Sequence, residues 1–386
     1  MSRPDPSIRI RSLALGLALA AGACSHAPPP SAGPEPEAPR AAVEEPPLRR
    51  DRRYVVVDVD VNELRFMDGD RVLWRAPVGT GTGFRLRKDS TSWDFVTPSG
   101  VMYVQYKELN PTWQIADWYF IENHLPIPPA GSPLRREPGG LGAAAVYLGD
   151  EIAIHGTDKP QLLGKRVSHG CIRLSNTNAL RLFHDLQVGT PVLIQGRQEV
   201  VGEMPDSAAG FTRNRGHGAP PRIWRNPWAR TSTAAVLRRL DRDLAAPDTS
   251  TAWVLSASEL IGRGLRDDSL ALRGILARAG QGRTEARNRE LGAFLSDVFT
   301  RGSFRAAVSL SKIAADARDR AAQAIVDASM GLYHGRLDGP AVPWPTSRVP
   351  KWRLGPLGQS GWVALQDAET RYRATHSSAA MTVGAQ

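Results

Sequence analysis

The sequence predicts a β-rich domain, a mixed sandwich or barrel with one short helix, followed by a mainly α-helical C-terminal region. Two patterns carry that expectation. Between residues 53 and 196, short β-branched and alternating segments are separated by Gly and Pro turns, with one stretch at helical spacing after Ser175. Beyond residue 230 the strand pattern stops, and Ala, Arg and Leu dominate. The 386 residues exceed one typical domain, so more than one folded unit is expected.

Taken in order, Tyr54-Val-Val-Val-Asp-Val-Asp-Val61 reads as a strand. Glu63–Met67 and Arg71–Val78 form a hairpin about Asp68-Gly69, and Thr97-Pro98-Ser99-Gly100 is a turn leading into a strand over Val101–Tyr106. Ala143–Leu148 and Glu151–Ile154 flank Gly149-Asp150 as two more strands. Ala179, Leu182, Phe183 and Leu186 then fall on one helical face, with Ser175 or Asn176 as cap. Gly189-Thr190-Pro191 ends that helix, and Val192–Ile194 closes the domain as a strand. Residues 197–230 read as a linker, 231–336 as a helical domain and 337–386 as an irregular tail. In the helical domain the stripes are Val236, Leu237, Leu240, Leu244 and Phe294, Leu295, Val298, Phe299, with an Ala-rich candidate over Ser309–Met330. No chemical motif marks that region, and a structural or docking role is its plainest reading.

The first residues carry a different signal. Arg3, Arg9 and Arg11 precede a small and apolar run over Leu13–Ala21, too short for a permanent span. Basic start, apolar middle and small-residue exit describe a secretory signal over residues 1–23. Leu19-Ala-Ala-Gly-Ala-Cys24 is similar to a bacterial lipobox, although Ala21 stands where such motifs usually carry Leu. The expectation is export across the inner membrane to the periplasm, with Cys24 as the lipidated first residue and residues 24–52 as a Pro-rich linker.

Two cysteines, Cys24 and Cys171, argue against a disulfide framework. The net charge of +10 suits an anionic polymer, a membrane surface or nucleic acid, but no basic run with interleaved aromatics marks a nucleic-acid binder.

Chemistry concentrates in Ile154-His155-Gly156-Thr157 and in Ser168-His169-Gly170-Cys171-Ile172-Arg173-Leu174-Ser175-Asn176. A nucleophilic thiol needs a base or positive field nearby, and His155, 16 positions upstream (171 − 155), is far enough along the chain for the imidazole to fold back to it. Gly170 lets its own N–H and that of Cys171 converge as oxyanion donors. Cys171 could instead be a small buried hydrophobe, and His155 or His169 a packed histidine. A zinc site of His155, His169 and Cys171 lacks a fourth ligand at familiar spacing, and no metal or cofactor is expected. Trp113 and Trp118 are candidates for cleft lining or for packing. His124, beside Glu122, reads as a loop residue.

These segments resemble the L,D-transpeptidase (YkuD-like) catalytic domain, which pairs a His-Gly-Thr segment with Ser-His-Gly-Cys-Ile-Arg-Leu and a following Asn. Thr97-Pro98-Ser99-Gly100, Leu141-Gly142 and Gly189-Thr190-Pro191-Val192 extend the resemblance over roughly residues 53–196. It implies acyl transfer through a thioester on Cys171, with His155 as base and the Gly156 carbonyl on its other nitrogen. Gly170 is implied as an oxyanion donor with Cys171, Ser168 and His169 as pocket residues, and Arg173 as an orienting group. The implied substrates are peptidoglycan stem peptides, joined by 3→3 cross-links. A hydrolase or protein-anchoring enzyme of the same chemistry, and a wall-binding scaffold without catalysis, are the competing readings.

Overall fold

The computed structural model describes residues 53–204, 223–331 and 344–382, with side chains through residue 376. The expected signal segment, Cys24 and the Pro-rich linker all lie outside the described residues. Among the described residues no helix is long and apolar enough to cross a membrane.

The β-rich part opens with β1 (Arg53–Asp58), β2 (Glu63–Asp68) and β3 (Arg71–Pro77), an antiparallel meander turning at Asn62 and Gly69, both at positive φ. Short β4 (Thr80–Gly81) leads to a hairpin of β5 (Phe84–Lys88) and β6 (Thr91–Asp94). The strand expected over Val101–Tyr106 is in fact two, β7 (Gly100–Tyr103) and β8 (Tyr106–Leu109). Between them the chain changes sheets: the Val104 N–H donates to Thr190 O at 3.0 Å and the next N–H, of Gln105, to Tyr147 O at 2.8 Å. An apolar run cannot reveal such a corner, because both halves are strand.

After β9 (Thr112–Gln114), helix α1 (Asp117–Glu122) and β10 (Arg136–Pro138) come β11 (Ala144–Gly149) and β12 (Ile152–Thr157). Short β13 (Arg166–Ser168) precedes β14 (Ile172–Ser175), which runs directly into α2 (Asn176–Asp185); β15 (Pro191–Gln195) and β16 (Gly202–Glu203) follow. One sheet has the order β3-β2-β1-β15-β7, the other β14-β12-β11-β8. Strand alternation turns Val55 and Val57 of the first, and Ile154, Ile172 and Leu174 of the second, into one apolar core, each fully or nearly fully buried. Burying such a side chain contributes about 1.5–3 kcal/mol. Helix α2 is capped by Ser175, whose Oγ accepts from the Asn178 N–H at 3.2 Å, and buries Ala179, Leu182 and Phe183 as the spacing requires.

The C-terminal helices are α3 (Thr233–Leu244), α4 (Ala252–Leu265), α5 (Ser269–Leu276), α6 (Glu285–Leu310), α7 (Ala315–Gly331) and α8 (Lys351–Thr382). Side-chain caps from Ser232, Asp268 and Thr284 open α3, α5 and α6. Both expected stripes, on α3 and α6, are buried. Three expectations need correction. The Ala-rich candidate over Ser309–Met330 belongs to two helices, because α6 ends at Leu310. The irregular tail is largely helical: Leu365, Ala368 and Tyr372 lie at i, i+3 and i+7, and only Gly355-Pro356, at a kink, disguises the pattern. The linker is partly built into the fold. Gln198 is buried, Gly202 and Glu203 pair with β5, and Trp224 and Trp228 pack on the core.

The helical region does not stand apart. Helices α4 and α6 pack on α2, and the apolar cluster is continuous from the sheets into the helices.

Candidate active site

Strands β12 and β14 are parallel neighbours in register, His155 opposite Arg173 and Ile154 opposite Ile172. Partners in register share a face, so His155 and Arg173 lie on the face away from the Ile154–Ile172 core. Cys171 precedes β14 by one residue and Arg173 by two, diagonal to His155. Strand spacing and rise put the two Cα atoms about 8 Å apart, a separation that side chains of neighbouring strands bridge.

The turn before Cys171 is clamped on several sides. Ser168 Oγ accepts the Gly170 N–H at 3.2 Å and donates to the Cys171 carbonyl at 2.5 Å. The Gly170 carbonyl accepts from Thr97 Oγ1 at 2.8 Å. Gly170 itself has φ +120°, and a Cβ there would meet Val96 O at 3.0 Å, so only glycine fits without strain. The expectation for Gly170 therefore shifts: its amide is engaged inside the turn rather than aimed at the cleft. Ser168, 1% exposed, braces the turn before Cys171 instead of lining the pocket.

Thr97 is a residue whose role here spacing could not give. Its N–H donates to Gln198 Oε1 at 2.8 Å, and its Oγ1 also accepts the Gly81 N–H at 2.9 Å. Gln198 lies in the segment read as linker, and its Nε2 donates to Thr80 Oγ1 at 2.7 Å. Thr97→Val is expected to leave the Gly81 N–H and Gly170 carbonyl unpaired at a cost of about 1–3 kcal/mol. Denaturant unfolding reads the loss, and the rate of Cys171 alkylation reads the loosened turn; a variant unchanged in both would show the clamp idle.

His155 is buried, with Nδ1 2.8 Å from the Gly156 carbonyl. A carbonyl only accepts, so Nδ1 carries the proton and Nε2 the lone pair. Gly156 is required there because a Cβ would fall 2.3 Å from Asn176 Oδ1. Asn176 accepts the Ala143 N–H at 2.8 Å and donates to the Thr157 carbonyl at 3.1 Å, locking the His155 strand to the start of α2. Burial, with Arg173 adding to it, lowers the His155 pKa to about 4. Burial raises the Cys171 thiol, opposed by the Ala153 backbone N–H and by Arg173. The resting pair is thus neutral thiol and neutral imidazole, not the ionised sulfur that a nucleophilic cysteine usually presents.

Arg173 is 7% exposed, and its charge acts on Cys171, Asp158 and Glu122. Its backbone N–H donates to the Gly79 carbonyl at 2.8 Å. His169 is held by Glu122, Nε2 to Oε2 at 2.8 Å, and its ring stacks on Trp118 with centroids 3.7 Å apart. Burial keeps its pKa well below the ordinary histidine value. Glu122 was not legible as a site residue, since 47 positions separate it from His169 and no motif links them. His124 lies in the turn after α1, as expected of a loop residue.

Cys171 and His169 line a cleft of about 950 Å³ together with Trp113, Trp118, Tyr106 and Tyr147, among others. Residues 52–194 match the family model of the L,D-transpeptidase catalytic domain. The L,D-transpeptidase-family protein YqjB of Bacillus subtilis is 33% identical over 141 residues, which is 36% of this chain and 70% of that protein. The chain belongs to the L,D-transpeptidase family. Another relative, YbiS of Escherichia coli, is 39% identical over 94 residues, 23% of this chain and only 29% of its own length. Among solved structures it is similar to an L,D-transpeptidase from Mycobacterium smegmatis (23% identity, 38% of this chain, 59% of that one, TM-score 0.27). A second is the catalytic domain of the Enterococcus faecium L,D-transpeptidase (20% identity, 38% and 98%, TM-score 0.28).

Proposed function

We propose that this L,D-transpeptidase joins peptidoglycan stem peptides by 3→3 cross-links through a thioester on Cys171. The observation that supports it most is the placement of Cys171 in an aromatic cleft, one residue before the strand that pairs with that of His155, whose tautomer leaves Nε2 as a base. Cys171 Sγ attacks the carbonyl of the third residue of a tetrapeptide stem as its proton passes to His155 Nε2. The C–N bond to the terminal D-alanine then breaks, and the same proton leaves on the departing amine. An amine of a second stem attacks the thioester, its proton going to His155 and then to the departing sulfur. The S–C bond breaks and the resting site returns.

Because both groups start neutral, charge develops only during attack. The Arg173 guanidinium stabilises it, with the Cys171 N–H as oxyanion donor now that the Gly170 amide is engaged. His169, fixed by Glu122 and stacked on Trp118, forms cleft wall. The site of action is the periplasm, reached through the N-terminal signal, with Cys24 acylated and holding the protein at a membrane.

Producing the full chain in a bacterium stripped of its own L,D-transpeptidases, followed by mass spectrometry of a muropeptide digest, tests this. Dimers linked 3→3 are the expected product. Trimmed tripeptides without dimers would identify a hydrolase, and peptide-linked protein an anchoring enzyme; an unchanged digest would overturn the reading.

A further inference from the structure

Strand β8 is the edge of its sheet, paired on one side by β11 alone. It carries Tyr106 and Glu108 into the cleft, where Tyr106 stacks on Tyr147 of β11 with centroids 4.1 Å apart. Alternation turns Lys107, between them, to the opposite face. There its Nζ donates to the carbonyls of Phe183 and Leu186, each at 2.6 Å, and to Asp297 Oδ1 of α6 at 2.9 Å. The Asp297 side chain is 2% exposed, and it also accepts from His184 Nδ1 at 2.8 Å and from Arg301 Nε at 2.9 Å.

One carboxylate of the helical region thus grips two elements of the site: the strand that forms the cleft wall, and the end of α2, the helix that continues the nucleophile strand β14. A buried ammonium needs a buried partner. Without Asp297, Lys107 would be drawn toward water, and an edge strand has no second neighbour to hold it in place. The ion pair of Arg181 with Glu290 fastens the same helix α2 to α6 one turn earlier.

We infer that the helical region is a positioning element of the catalytic cleft, with Asp297 as the positioning residue that sets β8 and its Tyr106–Glu108 wall for the substrate. The inference rests on the cleft being the stem-peptide site. It assigns the region a part in substrate binding rather than in the chemistry of the thiol.

Hydrogen exchange and steady-state kinetics on the full chain test it together. Asp297→Asn is expected to speed exchange of the 106–109 amides about tenfold while β1 and β15 stay protected. For a tetrapeptide donor it is expected to raise KM about fivefold or more, with kcat within about twofold and Cys171 alkylation by a small electrophile unchanged. Lys107→Met, which leaves Asp297 its His184 and Arg301 partners, should reproduce the effect if Asp297→Asn folds poorly, and Asp297→Glu should largely restore both readouts. Unchanged β8 exchange in a folded variant would overturn the inference, as would exchange rising equally through β1. If the wild-type chain turns over no stem peptide, the functional reading falls, while the exchange pattern still decides this one.

Discussion

Replacing Cys171 with alanine is expected to abolish acyl transfer, by at least about 10⁴-fold, because no other group can take over the covalent step. Cys171 is the free cysteine among the described residues, and it lines the cleft. The hydroxyl nearest in sequence, Ser168 Oγ, is buried and already bound to the Gly170 amide and the Cys171 carbonyl. A carbapenem, whose strained lactam acylates a nucleophilic thiol, gives a direct readout. Intact-mass spectrometry should show one adduct on the wild-type chain and none on Cys171→Ala. The variant should keep its melting temperature, since the thiol takes no part in the apolar core. An adduct that persisted on the alanine variant would remove the nucleophile from the mechanism.

Loss of the base ranks next. His155→Gln is expected to lower kcat for acylation by about 10²–10⁴-fold. The pH profile should carry the sharper signature. The folded site lowers the His155 pKa to about 4, first by burial and then by Arg173, so the neutral ring persists down to that pH. Activity that depends on a neutral base is therefore present above about pH 4 and lost as pH falls through it, rather than near the usual histidine value of about 6.5. In the other direction, the raised thiol stays protonated at neutral pH. The slow residual reaction of His155→Gln should accordingly climb with pH as thiolate forms unaided, and should lack the acid limb of the wild type. Rates of carbapenem acylation across pH check both statements. An acid limb that survived in His155→Gln would transfer the role of base to another group. His169 would then be first in line, because it lines the cleft with Cys171 and is held by a carboxylate.

Local physics made much of this protein readable before any coordinates. The β1–β3 meander follows from alternating apolar residues and from turns that tolerate positive φ, and α2 follows from a four-residue apolar face with Ser175 as its cap. The proposal for Cys171 and His155 rests on a similarly local signal: two short segments whose residue types have few other uses together. Strands β12 and β14 pair in parallel, which sets the two segments side by side. What escaped notice are partners brought in from far along the chain, Glu122 beneath His169, Thr97 and Gln198 behind Gly170, and Asp297 behind Lys107. Apart from Thr97, which reads only as a turn residue, none of these residues is unusual in its own neighbourhood. The helix of residues 351–382 does not stand out in the sequence because Gly355-Pro356 interrupts it and its buried face mixes Leu354 and Leu365 with small residues such as Gly361, Ala364 and Ala368.

The sequence by itself therefore determined the β-then-α order of the chain, the family, and the pair of groups proposed for the chemistry, because periodicity, turn residues and the motif are all properties of neighbours along the chain. Only the tertiary structure decided the protonation state in which that pair rests, which amide of the Gly170 turn is engaged, and whether the helices are a passenger or a wall support. Those depend on burial and on charges from distant segments. The energy of a thiol, an imidazole or an ammonium is set by what surrounds it in space, and folding alone chooses those neighbours.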